Sequence, residues 1–300
     1  METASPRAYF RFMKILILYI TLLLLCFSVS YAQQLQPGDL VINEVLFNPV
    51  KDGYDYVEGY NRGNKTIDLQ ELVIANRNSS GDIAGQRAVA RGIILIAPGE
   101  YFVITANEKW LRQHYVIPGN AVVCETSSMP SFPDDEGHVL FIDKNDTVID
   151  ELNYAEKWHF AMISNPEGVS LERIDYDSPA QDKNNWTSAS SSSGYGTPGF
   201  QNSHFRAAAR AEEEVVVSPK IFSPDNDGTD DFGLIDYNMQ ENGYIANLVI
   251  YDIAGRKVRY LIKNENLGLT NRFKWDGLDE QSNPLPPGIY ILYSKIHNLQ

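Results

Sequence analysis

The chain has 300 residues, 43% of them hydrophobic and 21% charged, an ordinary globular composition with room for about two domains. Its net charge of −14, with only 25 Lys and Arg, repels nucleic acid and anionic lipid. Two cysteines exclude a disulfide framework and a cysteine-based metal site.

Residues 1–32 read as a cleaved signal peptide. Arg7, Arg11 and Lys14 make a basic start, Ile15 to Val29 an apolar core too short for a comfortable membrane span, and Ser30-Tyr31-Ala32 a small-x-small cleavage site. Met13 is a more natural start than Met1. Cys26 raises a lipoprotein alternative, but Leu25 stands where lipid attachment wants a small residue. Cleavage before Gln33 removes three of the 25 basic and one of the 39 acidic residues, leaving a net charge of −16 and no transmembrane anchor. Cys124 then stands alone and reads as a buried structural thiol.

The first domain is expected over 33–202. Short strands come at roughly ten-residue intervals: Leu40–Phe47, closed by Asn48-Pro49, then Tyr54–Glu58, Thr66–Leu69, Leu72–Ala75, Gly92–Ile96, Tyr101–Thr105, Val139–Ile142 and Thr147–Asp150. Pro98-Gly99 is a turn, and only Glu108 to His114 reads as a helical turn or two. Many short strands with regular turns predict a β-sandwich. Residues 203–214, with Ala207-Ala208-Ala209 and Glu212-Glu213-Glu214, read as a linker. A second β-domain is expected over 215–300, with strands at Val215–Val217, Leu234–Tyr237, Ala246–Asp252, Lys257–Leu261 and Gly288–Tyr293 and a hairpin turn at Ala254-Gly255. The fold class is therefore all-β, two β-sandwich domains in tandem after a signal peptide.

Several motifs invite chemistry. Asp225-Asn226-Asp227-Gly228-Thr229-Asp230-Asp231 alternates acids around a glycine, as a loop does when it wraps a hard cation in oxygens. Asp225, Asp227 and Asp231 would offer carboxylates and Thr229 its carbonyl to a structural calcium; the competing reading is a polar loop whose Asp side chains cap backbone amides. Tyr54, Tyr56 and Tyr60 form a possible sugar-stacking surface. Asp55 and Glu58 are three apart and should face opposite sides of a strand, against a carboxylate dyad. Glu44, Glu58 and Glu172 recur inside apolar strands and read as ion-pair partners of Arg62 or Arg173. Trp158, Trp186 and Trp275 read as core anchors. The five histidines have no metal-ligand spacing, and no catalytic or cofactor-binding constellation is present.

Taken together, Ile42-Asn43-Glu44-Val45, Phe47-Asn48-Pro49, Asp55-Tyr56-Val57-Glu58, Phe132-Pro133-Asp134-Asp135-Glu136-Gly137, Trp158-His159-Phe160, Glu167–Ile174, Asn185-Trp186-Thr187-Ser188 and Gly196-Thr197-Pro198-Gly199-Phe200-Gln201-Asn202 resemble the lamin-tail family in its secreted Bacteroidota form. Gly59 departs from that pattern, where a bulky apolar residue is usual, and should weaken the strand or mark a bulge. In the second domain, Phe222–Gly228, Val249–Asp252, Gly255–Val258, Trp275-Asp276-Gly277 and Pro286–Tyr290 resemble immunoglobulin-like modules of the flagellar hook-capping type, whose relatives serve as sorting signals of type IX secretion. That family normally adds a strand after the equivalent of Tyr290–His297, so the second domain is expected to be one strand short or truncated.

The resemblances imply that both sandwiches are immunoglobulin-like, and that this is a secreted or outer-surface, non-enzymatic adhesion, tethering or scaffold protein of a Gram-negative bacterium, with an extracellular protein or polysaccharide as partner. The alternatives are the non-catalytic portion of a larger secreted hydrolase, and a carbohydrate-binding module.

Overall fold

A computed structural model describes residues 35–206, 215–239, 244–267 and 270–298. The signal peptide expected at 1–32 and most of the expected linker lie outside them. No described helix is long and apolar enough to cross a membrane.

The first domain packs two sheets face to face. One has six strands in the order β12-β11-β1-β2-β7-β8 and the other four in the order β10-β9-β4-β5. The strands are β1 Leu40–Leu46, β2 Tyr56–Asn61, β4 Leu72–Arg77, β5 Ile83–Ala88, β7 Tyr101–Thr105, β8 Val122–Glu125, β9 Glu136–Asp143, β10 Val148–Ala155, β11 Leu171–Arg173 and β12 Trp186–Ser188, with a small side pair of β3 Ile67–Asp68 and β6 Leu95–Ile96. All pairings are antiparallel except β7 with β8. Ile42, Val57, Phe102, Ile104, Phe141, Leu152 and Trp186 meet between the sheets in one core, with Trp158 packed against it. Cys124 joins this core as a free thiol, and burial pushes its pKa up to about 12.

The central strand β1 does not keep a simple two-residue alternation. The register with β2 runs Ile42↔Gly59 and then Glu44↔Glu58, so Asn43 is the extra residue of a β-bulge. The bulge turns Leu40 and Ile42 on one side of it, and Val45 and Phe47 on the other, toward the same core. It also places the side chains of Asn43 and Glu44 together on the outer face. Gly59 lies within the strand, opposite the bulge rather than forming one. A Cβ there would stand 2.1 Å from the Phe102 ring, so that ring fills the space a side chain would take.

The outer face of the six-stranded sheet is also covered. At one end lies the helix α1 (Glu108–His114), whose Asn107 side chain accepts the Trp110 amide as an N-cap. Leu111 and Tyr115 then pack on Leu46, Tyr56 and Val103. Over the strands β11, β1 and β2 runs a strap formed by residues 195–206.

The second domain pairs β13 (Val215–Ser218), β14 (Gly233–Asn238) and β17 (Thr270–Trp275) in one sheet, and β15 (Tyr244–Asp252), β16 (Lys257–Leu267) and β18 (Tyr290–Asn298) in the other. Ile235, Leu248, Ile250, Phe273 and Trp275 form its core. Among the described residues each of these sheets has three strands.

Residues 203–206, expected as linker, are instead the end of the strap and are packed: His204 is buried, and the Arg206 amide donates to the Ile174 carbonyl at 2.7 Å.

Candidate functional site

Glu172, Glu44 and Glu58 stand side by side on β11, β1 and β2. The register pairs Glu44 with Glu172 on one side and with Glu58 on the other. All three are fully buried. Like charges directly opposite one another in a sheet are destabilising, and burial of a carboxylate without partners costs several kcal/mol or more. The row therefore has to be satisfied from above, and the strap does this.

Glu44 accepts the Tyr56 hydroxyl at 2.7 Å and the Thr197 amide at 2.9 Å on one oxygen, together with the Ser170 hydroxyl. Its other oxygen lies 3.1 Å from the Thr197 hydroxyl. Glu58 accepts the Asn43 side-chain amide at 2.7 Å and the Gly199 backbone amide. Glu172 meets the Thr197 hydroxyl at 2.7 Å and accepts the Ser203 hydroxyl at 2.7 Å. Asn202 locks the layer by donating to the main-chain carbonyls of Asn43 (3.0 Å) and Arg173 (2.8 Å). Gly199 adopts φ 93°, and a Cβ there would lie 2.7 Å from Ala121, so only glycine lets the backbone come this close.

The hydroxyl of Thr197 has one proton but touches carboxyl oxygens of both Glu44 and Glu172. It donates to one; the other contact is a hydrogen bond only when that carboxyl carries a proton itself. Burial, then the charge of Glu172, raises Glu44 to about 7. Burial, then Glu44, holds Glu58 well above the carboxylate range. Glu44 and Glu58 thus hold at least one proton between them at neutral pH and titrate together.

The expected ion pairs of these glutamates do not form. Arg173 pairs with Asp150 at 3.0 Å and Arg62 with exposed Asp177 at 3.4 Å, because both guanidiniums are drawn toward loop and strand-end acids. The bulge was the unread signal: it aims Asn43 and Glu44 at the strap instead. Asp55 lies just before β2, and Glu58 lies within it. Burial and then Asp134 raise Asp55 to about 7.

The strap continues into a clamp on the second domain. His204 Nε2 meets Asp231 at 2.8 Å, and its Nδ1 lies 3.7 Å from Glu172. Burial works to lower the His204 pKa, but the hydrogen bonds to Asp231 and Glu172 outweigh it and the net shift is upward. Asp231 is shifted downward: burial opposes, but His204 and the Gly228 amide prevail. Around this pair, Arg206 meets Asp230 at 2.7 Å, Arg272 donates to the Arg206 carbonyl at 3.0 Å, and Asn226 donates to the Ala189 carbonyl at 3.1 Å. Ile174, Phe232 and Leu234 form an apolar seam beside it. Lys274, whose pKa burial lowers to about 8, donates to the Trp186 carbonyl.

The Asp225–Asp231 loop therefore docks the domains. Asp225, Asp227 and Asp231 each bring one carboxylate oxygen to within 4.8 Å of the others, a spacing a hard cation can bridge. The same acids already bind amides: Asp231 accepts those of Asp227 (3.1 Å) and Gly228 (2.8 Å), and Asp227 accepts that of Thr229 at 2.7 Å. The Gly228 amide and His204 Nε2 fill Asp231 Oδ2, and the Asp227 amide takes one lone pair of its Oδ1; with one position left on Asp231 and free lone pairs on Asp225 and Asp227, the donor set fits a calcium ion alongside these bonds.

The three tyrosines do not make one platform. Tyr56 is fully buried against Glu44, since its side chain falls under the strap. Tyr54 packs edge-on to Trp110 at 5.9 Å, while Tyr60 packs on Tyr101 and Tyr176 at 4.9 and 4.1 Å.

The family model described as Lamin Tail Domain matches residues 33–156. Those residues hold Glu44 and Glu58; Glu172 and the strap that satisfies all three lie beyond them. No curated protein matches the chain.

Proposed function

We propose that this protein is a non-enzymatic binding and tethering module, secreted or held on the outer surface of a Gram-negative bacterium. One observation carries the reading: the acids of the glutamate row and the histidine of the clamp, Glu44, Glu58, Glu172 and His204, are buried and spent on internal bonding. A catalytic acid or base has to reach a substrate; these reach only the strap and the clamp. The lamin-tail match over 33–156 supports the same reading, since that domain is immunoglobulin-like and typically non-catalytic.

In this role the strap and clamp make the tandem a stiff spacer, and a structural calcium at Asp225, Asp227 and Asp231 stiffens the joint further. The second domain, by its resemblance to secretion-signal modules, is the attachment end. The test is a panel of polysaccharide, nucleic-acid and phosphoester substrates offered to the purified chain, with the native protein located in culture medium and washed outer membrane. No turnover and an extracellular location are expected. Hydrolysis of any substrate class overturns the reading.

A further inference from the structure

At the junction of the two domains a cleft of about 400 Å³ opens beside the clamp. Its walls are Phe160, Met162 and Tyr195 together with Glu167 from the first domain and Asp225 from the second. We propose that this cleft binds a cationic side chain, the guanidinium of an arginine in a basic peptide segment. The proposal rests on the reading of the chain as a binding module and names the chemistry of its partner.

Charge comes first. Neither Glu167 nor Asp225 makes an ion pair among the described residues. Glu167 accepts the Lys51 backbone amide at 2.8 Å and the Asn165 side-chain amide at 3.5 Å, and Asp225 is met by the Ser223 hydroxyl at 3.2 Å and the Asp227 amide at 3.3 Å. No Lys or Arg lines the cleft. Two exposed carboxylates on facing domains leave a negative hollow, and the net charge of −14 on the whole chain deepens it. An anionic ligand is repelled there and a cation is drawn in.

Shape and surface come second. Tyr195 is 40% exposed and Met162 is 40% exposed, although both side chains gain from burial. Tyr195 also has φ 65°, a conformation that a bulky residue rarely adopts. It is held there by hydrogen bonds between its amide and the Ser190 carbonyl (2.9 Å), and between its carbonyl and the Ser170 amide (3.0 Å). Its neighbours are both glycine. The strained backbone thus holds a partly exposed aromatic residue at the lining of the cleft. An aromatic face beside carboxylates is how proteins bind guanidinium, by stacking and charge-assisted hydrogen bonds.

The experiment titrates the full mature chain, in EDTA to keep the Asp225 loop free of divalent cations, with acetyl-Gly-Arg-Gly-amide by NMR. Acetyl-Gly-Gln-Gly-amide and maltotriose are the neutral comparators. Saturable binding of the arginine peptide alone is expected, with shifts at residues 160–169 and 191–195. Tyr195→Gly removes the ring and relaxes the strained backbone, and Glu167→Gln removes one charge; each should weaken binding roughly tenfold. Glu265→Gln, an exposed change of equal charge on β16, should leave it unchanged. Absence of saturation, a response to Glu265→Gln equal to that of Glu167→Gln, full binding by Tyr195→Gly, or preference for maltotriose each overturns the proposal. Because the assay reads binding and not turnover, its failure leaves the non-enzymatic reading to be judged by the substrate panel.

Discussion

Glu44 on β1 accepts the backbone amide of Thr197 at 2.9 Å and meets its hydroxyl at 3.1 Å, across 153 residues of sequence. This contact fastens the strap to the central strand, and it is linked to protons. The folded-state pKa of Glu44 is raised from 4.5 to about 7. The folded protein therefore binds more protons than the unfolded chain between those values. Stability from this group is complete below pH 4.5 and is lost as pH rises through about 7. His159, whose pKa burial lowers to about 4, works in the opposite sense over part of the range, so the difference between two proteins isolates Glu44. Glu44→Gln mimics the protonated acid: its oxygen accepts the same donors and its amide donates to Thr197. The variant should gain on the parent by up to about 1.4 kcal/mol per pH unit across the window, read by urea unfolding at pH 5 and pH 8. A pH-independent difference contradicts the proton count.

Thr197→Val tests the same contact from the strap. Valine keeps the shape but removes the one hydroxyl shared by Glu44 and Glu172. The two carboxyls are then left facing each other without it, at a cost of about 1 to 3 kcal/mol. Limited proteolysis should cut the variant within residues 189–206 faster than the parent. Serine at this position, which keeps the hydroxyl, should recover most of the loss.

Much of the fold was legible and much of the site was not, and β1 explains both. Leu40–Phe47 announces itself as a strand by its apolar run, and Glu108–His114, read as a helical turn or two, is the α-helix among the described residues. The period of two, however, breaks at Asn43, and Gly59, the residue expected to weaken its strand or mark a bulge, lies on β2 opposite the break rather than at it. Glu44 and Glu58 therefore read as surface acids in need of arginines. Their real partners lie in the Ser- and Gly-rich stretch after Trp186, whose composition looks like a loose edge but whose small side chains and amides are what a buried carboxylate requires. The strands β5, β8 and β17 went unread, because Ile83–Ala88 is half polar and Thr270–Trp275 carries Asn, Arg and Lys. Arg272 and Lys274 are inside the domain joint, which no local pattern announces.

The joint should behave as a coupled unit through His204 and Asp231. The pair is buried, with side-chain exposures of 3% and 4%. Removing one partner strands the other, so Asp231→Ala should cost about 3 to 5 kcal/mol. A double-mutant cycle with His204→Ala should return a coupling of about 0.5 to 3 kcal/mol. The raised His204 pKa gives stability that is present below 6.5 and lost as pH climbs through the shifted value. The cycle at pH 6 should therefore give a larger coupling than at pH 9. Additive losses mean that the contact does not hold the domains.

Calcium should reach the same joint from the other side. With Asp225, Asp227 and Asp231 within 4.8 Å, added calcium should raise the melting temperature, by about 2.7 kcal/mol of stabilisation at one hundred times its dissociation constant. Magnesium, which demands a tighter octahedron, should do less. Asp227→Asn leaves the clamp to His204 intact and should abolish the calcium effect. An unchanged melting temperature in millimolar calcium assigns the loop to hydrogen-bonded docking alone.

Gly59 is the most sensitive position of the core for its size. A single added methyl would lie 2.1 Å from Cζ of Phe102 and 2.5 Å from its Cε1, on the strand pair that carries Glu58. The Phe102 ring cannot withdraw freely, since it packs on Phe141 at 5.8 Å between centroids within the buried core. Gly59→Ala should therefore destabilise by about 1 to 3 kcal/mol through overpacking, despite alanine's lower conformational entropy in the unfolded chain. Because β2 would shift with the ring, Glu58 should also lose its bond to the Gly199 amide, and the strap should become more open to protease. The double variant Gly59→Ala with Phe102→Leu removes the clash and should recover strap protection even while the smaller core residue keeps the unfolding midpoint low. Protection that fails to return in the double variant would separate the core from the strap and leave the glutamate row to be positioned by β1 and β11 alone.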